Sequence, residues 1–287
     1  MGRKLQIAGL VVLAIVAALL SLAALPGVRS QWQTPVAATP VASPTATPTE
    51  TPTTTPTAIA SGTTEATATA TPTTTPTATG LAGLADRLAA DDPVSIMVLG
   101  DGSGDATDEW VYLWARQVHK KRDVSYRSWD NSAGTWRKAN PKGGATSATF
   151  WNASLSAPNL ATEPRRVAEV WKPADVVILS YGHRKSADEI GPALTAIRKA
   201  VLEQNPDADI IVMIQNPDPV ATQATQQATT QAVAKWAKKN DLDTVDIYSA
   251  FLDDPRPRAQ LVEADGSPTP AGSMLWADTV QTALTAA

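Results

Sequence analysis

Ser103 and His183 are the side chains of this sequence best suited to covalent chemistry. Ser103 lies in the small-residue turn Gly100-Asp101-Gly102-Ser103-Gly104-Asp105, and His183 is one of only two histidines. A serine hydroxyl attacks an acyl carbon when a neighbouring base takes its proton, and the start of a helix favours the negative charge that develops. If the fold brings the two loops together, Ser103 and His183 form a nucleophile–base dyad for acyl esters. The same loops contain the parts of an anion site. Gly102 and Gly104 can present backbone N–H groups at a helix start, and Arg184 with Lys185 could supply a charged fork for a carboxylate, phosphate or sulfate. The competing reading is that Arg184 pairs with Asp101, Asp105 or Asp108, which are close in sequence to the same crevice, and plugs it. The chain has no Cys, which excludes disulfides, thiolate metal sites and a cysteine nucleophile. With the histidines 64 positions apart, no zinc site is expected and no cofactor is implied.

The elements that must position these residues are legible as alternating patterns. SIMVLG (95–100), VSYRSW (124–129), DVVILSYG (175–182), DIIVMIQN (209–216) and TVDIYSAF (244–251) read as strands, and ATSATFWNASL (145–155) is a weaker sixth. TDEWVYLWARQVHKK, SADEIGPALTAIRKAVLEQ, PVATQATQQATTQAVAKWAKKN and PAGSMLWADTVQTALTA read as helices. Continuous Val/Ile/Leu runs alternating with helices predict a mostly parallel, five-stranded sheet covered on both faces, a three-layer α/β/α domain. Ligands of such folds bind beyond the carboxyl ends of the strands at the topological switch point, where the loops after 95–100 and 175–182 would meet.

Four stretches in this order resemble the SGNH (GDSL-type) esterase family: VLGDGSGDATDEWVYLWA (98–115), WNAS (151–154), DVVILSYGH (175–183) and DGSPTPAGSMLWAD (265–278). The resemblance covers nearly the whole domain and implies a flavodoxin-like fold and acyl-ester hydrolysis, but the working residues depart from the pattern. The family's nucleophile follows Gly-Asp directly, where this chain has Gly102. Ser103 is displaced by one residue, which turns a helical side chain by about 100°. The oxyanion asparagine that follows Gly-His is replaced by Arg184, and WNASLSAPNLA has no glycine to lend an oxyanion N–H. The base histidine is absent: Asp265-Gly266-Ser267-Pro268 puts Ser267 or Pro268 in its place, and no histidine follows His183. Asp265, which would orient that base, is left to cap a turn, and Asp101 to brace its own. Losing triad members costs many powers of ten in rate, so the expectation is an SGNH-like pseudoenzyme retained for binding or structure. The alternatives are an active esterase using Ser103 and His183, and a glycan- or anion-binding module with Asp101, Gly104, Arg184 and Asp265 at its crevice.

The rest of the chain sets the context. Residues 1–30 carry Arg3 and Lys4 ahead of an apolar stretch from Leu5 to Val28, either a cleaved signal peptide or an uncleaved membrane anchor. Residues 31–82 are Thr/Pro/Ala-rich, with repeats such as TPTTTPTA, and read as an extended linker. The folded domain is expected over 83–287, outside the cytoplasm, secreted or membrane-anchored. With Arg3, Lys4, Arg29, Glu50 and Glu65 ahead of it, the domain carries 21 basic and 26 acidic residues, so no nucleic-acid partner is expected. An acyl ester or a cell-surface glycan is the expected ligand. Eight of the nine tryptophans lie in the domain; Trp110, Trp114, Trp151 and Trp276 fall in motif segments, while Trp129, Trp136 and Trp171 are free to form a platform for sugar rings.

Overall fold

Apolar runs too long for a half-exposed strand demand cover on two faces, and the computed structural model, which describes residues 78–90, 92–139, 147–219 and 223–287, supplies it. In chain order the elements are α1 (Gly80–Ala89), β1 (Val94–Gly100), α2 (Trp110–His119), β2 (Val124–Asp130), β3 (Thr135–Ala139), β4 (Ala148–Asn152) and α3 (Glu163–Val170). They continue with β5 (Val176–Ser180), α4 (Ala187–Gln204), β6 (Asp209–Ile214), α5 (Gln223–Lys239), β7 (Asp243–Asp246), α6 (Ile247–Asp253) and α7 (Pro270–Ala286). The sheet has seven strands in the order β3-β2-β4-β1-β5-β6-β7. Among the described strands of this sheet, only the β2–β3 pair is antiparallel.

The five-strand expectation is corrected in an informative way. Setting the β2–β3 hairpin aside, β4-β1-β5-β6-β7 is the flavodoxin-like doubly wound order, with its switch between β1 and β5. The weak sixth stretch is therefore the true second strand of that core, and VSYRSW belongs to a hairpin added at the sheet edge. Its partner strand TWRKA was missed because an exposed edge strand with two basic residues lacks an apolar face. The stretch 244–251 is corrected too: the strand stops at Asp246, whose carboxylate accepts the Ser249 N–H at 2.9 Å and starts helix α6. Helix α1, unforeseen, begins at Gly80, ahead of the expected domain start, with the Asp243 carboxylate accepting the Leu81 N–H. Helix α4 opens on a capping box between Ser186 and Glu189. Residues 1–77 lie outside the described residues, and with them the candidate leader and most of the linker. Among the described residues no helix is long and apolar enough to cross a membrane.

Two cores sandwich the sheet. On one face Trp110, Trp114 and Trp276, all fully buried, pack with Phe150 and Phe251; Trp110 and Trp276 stack at 5.1 Å and Trp114 meets Phe150 edge-on at 4.9 Å. On the other, α3, α4 and α5 close over Leu99, Val177, Leu179 and Val212. Arg122 ties the periphery, donating to the carbonyls of Arg87 and Leu88 at the end of α1 and of Ser147 ahead of β4.

One ionic group is sealed in the second core. Glu163 (1% exposed) takes two hydrogen bonds from Arg166, at 2.8 and 2.6 Å, and a third from the Tyr181 hydroxyl, while Arg166 also donates to the Ala153 carbonyl. This fastens α3 to the ends of β4 and β5. Burial is the largest cause raising the Tyr181 pKa, followed by the Glu163 charge, so the phenol stays protonated and donates. Removing one member strands the other's charge in a dry core. Glu163→Ala should lower unfolding free energy by about 3–5 kcal/mol in urea titration; a loss below about 1 kcal/mol would show that the network carries no net stability.

Candidate functional site

The crevice lies where the topology requires, beyond the carboxyl ends of β1 and β5, with a volume of about 610 Å³. Asp101, Gly102, Asp105, Glu109, Ser156, His183, Arg184 and Asp265 are among its walls. Asp101 ends β1 and is 5% exposed, so its carboxylate must be satisfied by the protein. Oδ1 accepts from Gln215 Nε2 at 2.8 Å, Ser103 Oγ at 3.0 Å and Ser103 N at 3.3 Å; Oδ2 accepts from His183 N at 3.4 Å. Gln215 spends its other amide hydrogen on the Ser180 carbonyl at 2.9 Å, and its oxygen accepts the His183 N–H at 2.8 Å.

The residues expected to do chemistry are placed as follows. Ser103 is 1% exposed, and its hydroxyl is given to Asp101. The His183 ring takes part in a different contact, Nε2 lying 3.1 Å from the Asn216 carbonyl. A carbonyl only accepts, so Nε2 carries the proton there, and Nδ1 sits 4.0 Å from Asp101 Oδ1. Asp101 thus lies between the two, and Ser103 Oγ bonds to Asp101 and Gln215, with no bond to the imidazole among the described contacts. A Cβ added at Gly102 would lie 2.9 Å from Ser156 Cα and 3.0 Å from its carbonyl oxygen. Main chain fills the space that a side chain at this position would need. Gly104 is enclosed as well: an added Cβ would sit 2.7 Å from Trp110 Nε1.

Arg184, in a left-handed backbone conformation (φ 56°), reaches across to donate Nη2 to the Asp265 carbonyl. The expected pairing with a neighbouring carboxylate is replaced by this backbone contact, which joins the β5 loop to the loop ahead of α7. Lys185 reaches the Pro158 carbonyl at 3.5 Å. Ser267, in the loop ahead of α7, donates its N–H to Asp265 Oδ1 at 3.0 Å. That hydrogen bond is the main cause lowering the Asp265 pKa, with the Arg184 charge a smaller one. Asp265 therefore caps its turn. Among the described residues no group of three or more acids or histidines could hold a metal ion.

Three residues that shape the crevice loops went unread in the sequence. Gln215, the hub partner of Asp101, is signalled only as the first polar residue after an apolar run. Asn152 ends β4, donates to the Gly104 carbonyl and the Tyr126 hydroxyl, and accepts the Ser154 N–H, which pins the loop that covers Gly102. Glu109 accepts the Ala106 N–H at 2.7 Å and shares a side-chain hydrogen bond with Asp105. Burial, the dominant cause, together with Asp105 and Asp108 nearby, raises its pKa to about 7, against the opposing Ala106 N–H bond; burial raises Asp105 as well. Two carboxyls in hydrogen-bond contact cannot both ionise cheaply, so the pair keeps a proton close to neutrality.

No protein-family model matches the sequence, and no curated protein does. Solved structures do. A GDSL-like lipase from Parabacteroides merdae is 14% identical with a TM-score of 0.49, over 68% of this chain and 96% of its own. An esterase from a Pseudoalteromonas species is 15% identical, TM-score 0.49, over 67% and 97%. A lipase/acylhydrolase from Enterococcus faecalis is 14% identical, TM-score 0.49, over 67% and 96%.

Two outcomes follow from this geometry. Gly102→Ala should cost about 1–3 kcal/mol of stability, the price of overpacking against main chain; a neutral substitution in urea titration would mean that the covering loop yields freely. For Glu109, the folded state holds its proton up to about pH 7 while the unfolded chain releases it near 4.5. Its contribution is therefore fully present below pH 4.5 and lost as pH rises to about 7, by at most ~1.4 kcal/mol per pH unit. Glu109→Gln preserves both hydrogen bonds without titrating, so stability of the wild type should fall relative to the variant across that window. Parallel pH profiles would refute the shift.

Proposed function

We propose that this chain is a non-hydrolytic, SGNH-hydrolase-like binding domain, held outside the cytoplasm by a Thr/Pro-rich linker and an N-terminal leader or anchor. The observation that carries the proposal is the closure at Gly102. Nucleophilic catalysis needs a side chain at the crevice surface with a base within reach. Here the nucleophile position has no side chain, and the backbone of Ser156 occupies the space one would need. The hydroxyl of the adjoining residue, Ser103, is buried and bonded to a carboxylate, and the imidazole in the β5 loop is bonded to a carbonyl. The crevice itself stays open at about 610 Å³, within the range of roughly 300–1,000 Å³ typical of ligand pockets. A scaffold with its cleft kept and its nucleophile position filled retains the means to bind and lacks the means to form an acyl-enzyme.

The test is treatment of the purified full chain with a fluorophosphonate, read by intact mass, beside a p-nitrophenyl acetate assay. No adduct and no turnover above the uncatalysed rate are expected. An adduct at Ser103 accompanied by turnover, both abolished in Ser103→Ala, would replace this reading with that of an esterase using a relocated serine.

A further inference from the structure

The added β2–β3 hairpin builds a second cavity that the doubly wound core alone would not have. Its turn, residues 131–134, stands beside the loop that follows β4, and between them lies a groove of about 390 Å³. Asp105, Ser156 and Ala157 line both this groove and the 610 Å³ crevice, so the two adjoin. His183 lines the crevice and Trp129 the groove, which sets the span that a chain occupying both would cross.

The walls of the groove have a particular chemistry. Trp129 is its aromatic surface, half-buried and backed edge-on by Trp136 at 5.5 Å, which in turn meets Trp151 at 5.2 Å; Arg127 lies over the Trp151 ring at 5.6 Å. Three indoles braced in this way hold the platform rigid before any ligand arrives. Planar and hydroxylic hydrogen-bonding groups line the same groove: Asn131, Arg137, Asp105 and Ser132, whose hydroxyl donates to Asp130 Oδ1 at 2.6 Å and keeps its lone pairs to accept. The turn that carries two of them is fixed by Asp130, whose Oδ1 accepts from Ser132 N at 3.0 Å and Ala133 N at 3.1 Å, while Arg137 lies against its other oxygen.

From this juxtaposition we infer that the domain binds an extended saccharide chain, with one pyranose ring stacked on Trp129 and the next units leading through Asp105 into the crevice. A pyranose presents a flat C–H face and a rim of vicinal hydroxyls, which call for one aromatic surface and several planar two-point partners. An acyl chain would instead require an apolar channel. A phosphorylated chain would meet Asp101, Asp105, Glu109 and Asp265 along the crevice. The inference rests on the non-hydrolytic reading to the extent that a chain held across Gly102 is retained uncut.

The experiment is calorimetric titration of the full chain with cellohexaose, xylohexaose and hexa-N-acetylchitohexaose, with ester turnover measured on the same preparation. At least one hexaose should bind, and Trp129→Ala should weaken it by about tenfold or more, equivalent to ~1.4 kcal/mol. Asn131→Ala, at an exposed turn position, should weaken it severalfold with an unchanged circular dichroism spectrum. If Trp129→Ala fails to fold, Trp129→Leu, which keeps apolar bulk and removes the aromatic face, and Asn131→Ala decide the question by the same criterion. Binding of none of the three, or binding undiminished in the folded variants, overturns the inference. Binding together with serine-dependent ester turnover leaves it standing and overturns the non-hydrolytic reading instead, so the two fail separately.

Discussion

A carboxylate at the end of the central strand, with almost no access to water, is the constraint around which this domain is arranged. Asp101 is 5% exposed and must be solvated by protein donors. Those donors come from three loops: Ser103 beyond β1, the His183 backbone beyond β5, and Gln215 beyond β6. Each donor that satisfies the carboxylate also ties its loop to the switch point, so one buried charge holds the carboxyl ends of three adjacent strands in register. The same arrangement engages the Ser103 hydroxyl, which donates to Asp101 Oδ1 at 3.0 Å.

The closure over Gly102 has an equally local cause. Asn152 holds Gly104 and Ser154 at once, which draws the loop after β4 down onto the loop after β1. Beneath it, Arg166 grips the Ala153 carbonyl from the sealed Glu163–Arg166–Tyr181 group. The covering main chain is therefore anchored from both sides, and Gly102 is the residue that lets it approach so closely. Arg184 adds a link on the far side of the crevice, to the Asp265 carbonyl, where a short amide side chain could not reach.

The edge hairpin changes the character of the cleft beyond the core fold. By pairing β2 to β4, it carries the crevice past the switch point and places Trp129 and a polar turn at its end. The half-exposed indoles sit on the sheet face that α3, α4 and α5 cover farther along, whereas the buried Trp110, Trp114 and Trp276 sit on the other. Tryptophan count alone does not distinguish these roles; the face and the distance from the covering helices do.

Much of the architecture was legible from the residues. Continuous Val/Ile/Leu runs gave parallel strands, the stretches between them gave the covering helices, and the switch-point rule located the crevice. These signals are short-range, set by backbone preference and by contacts within a turn or a strand, so they survive reading one segment at a time. The rest depends on partners distant in sequence. That β4 rather than β2 lies against β1, that Ser156 fills the space above Gly102, and that Gln215 shares Asp101 with Ser103 are decisions of packing between segments some 50 to more than 100 positions apart. The sequence by itself determined a doubly wound domain with a glycine-rich loop after its first strand. Only the tertiary structure decided that the space beside Gly102 is closed, because steric exclusion is a property of the neighbour that arrives there and not of the glycine that allows it.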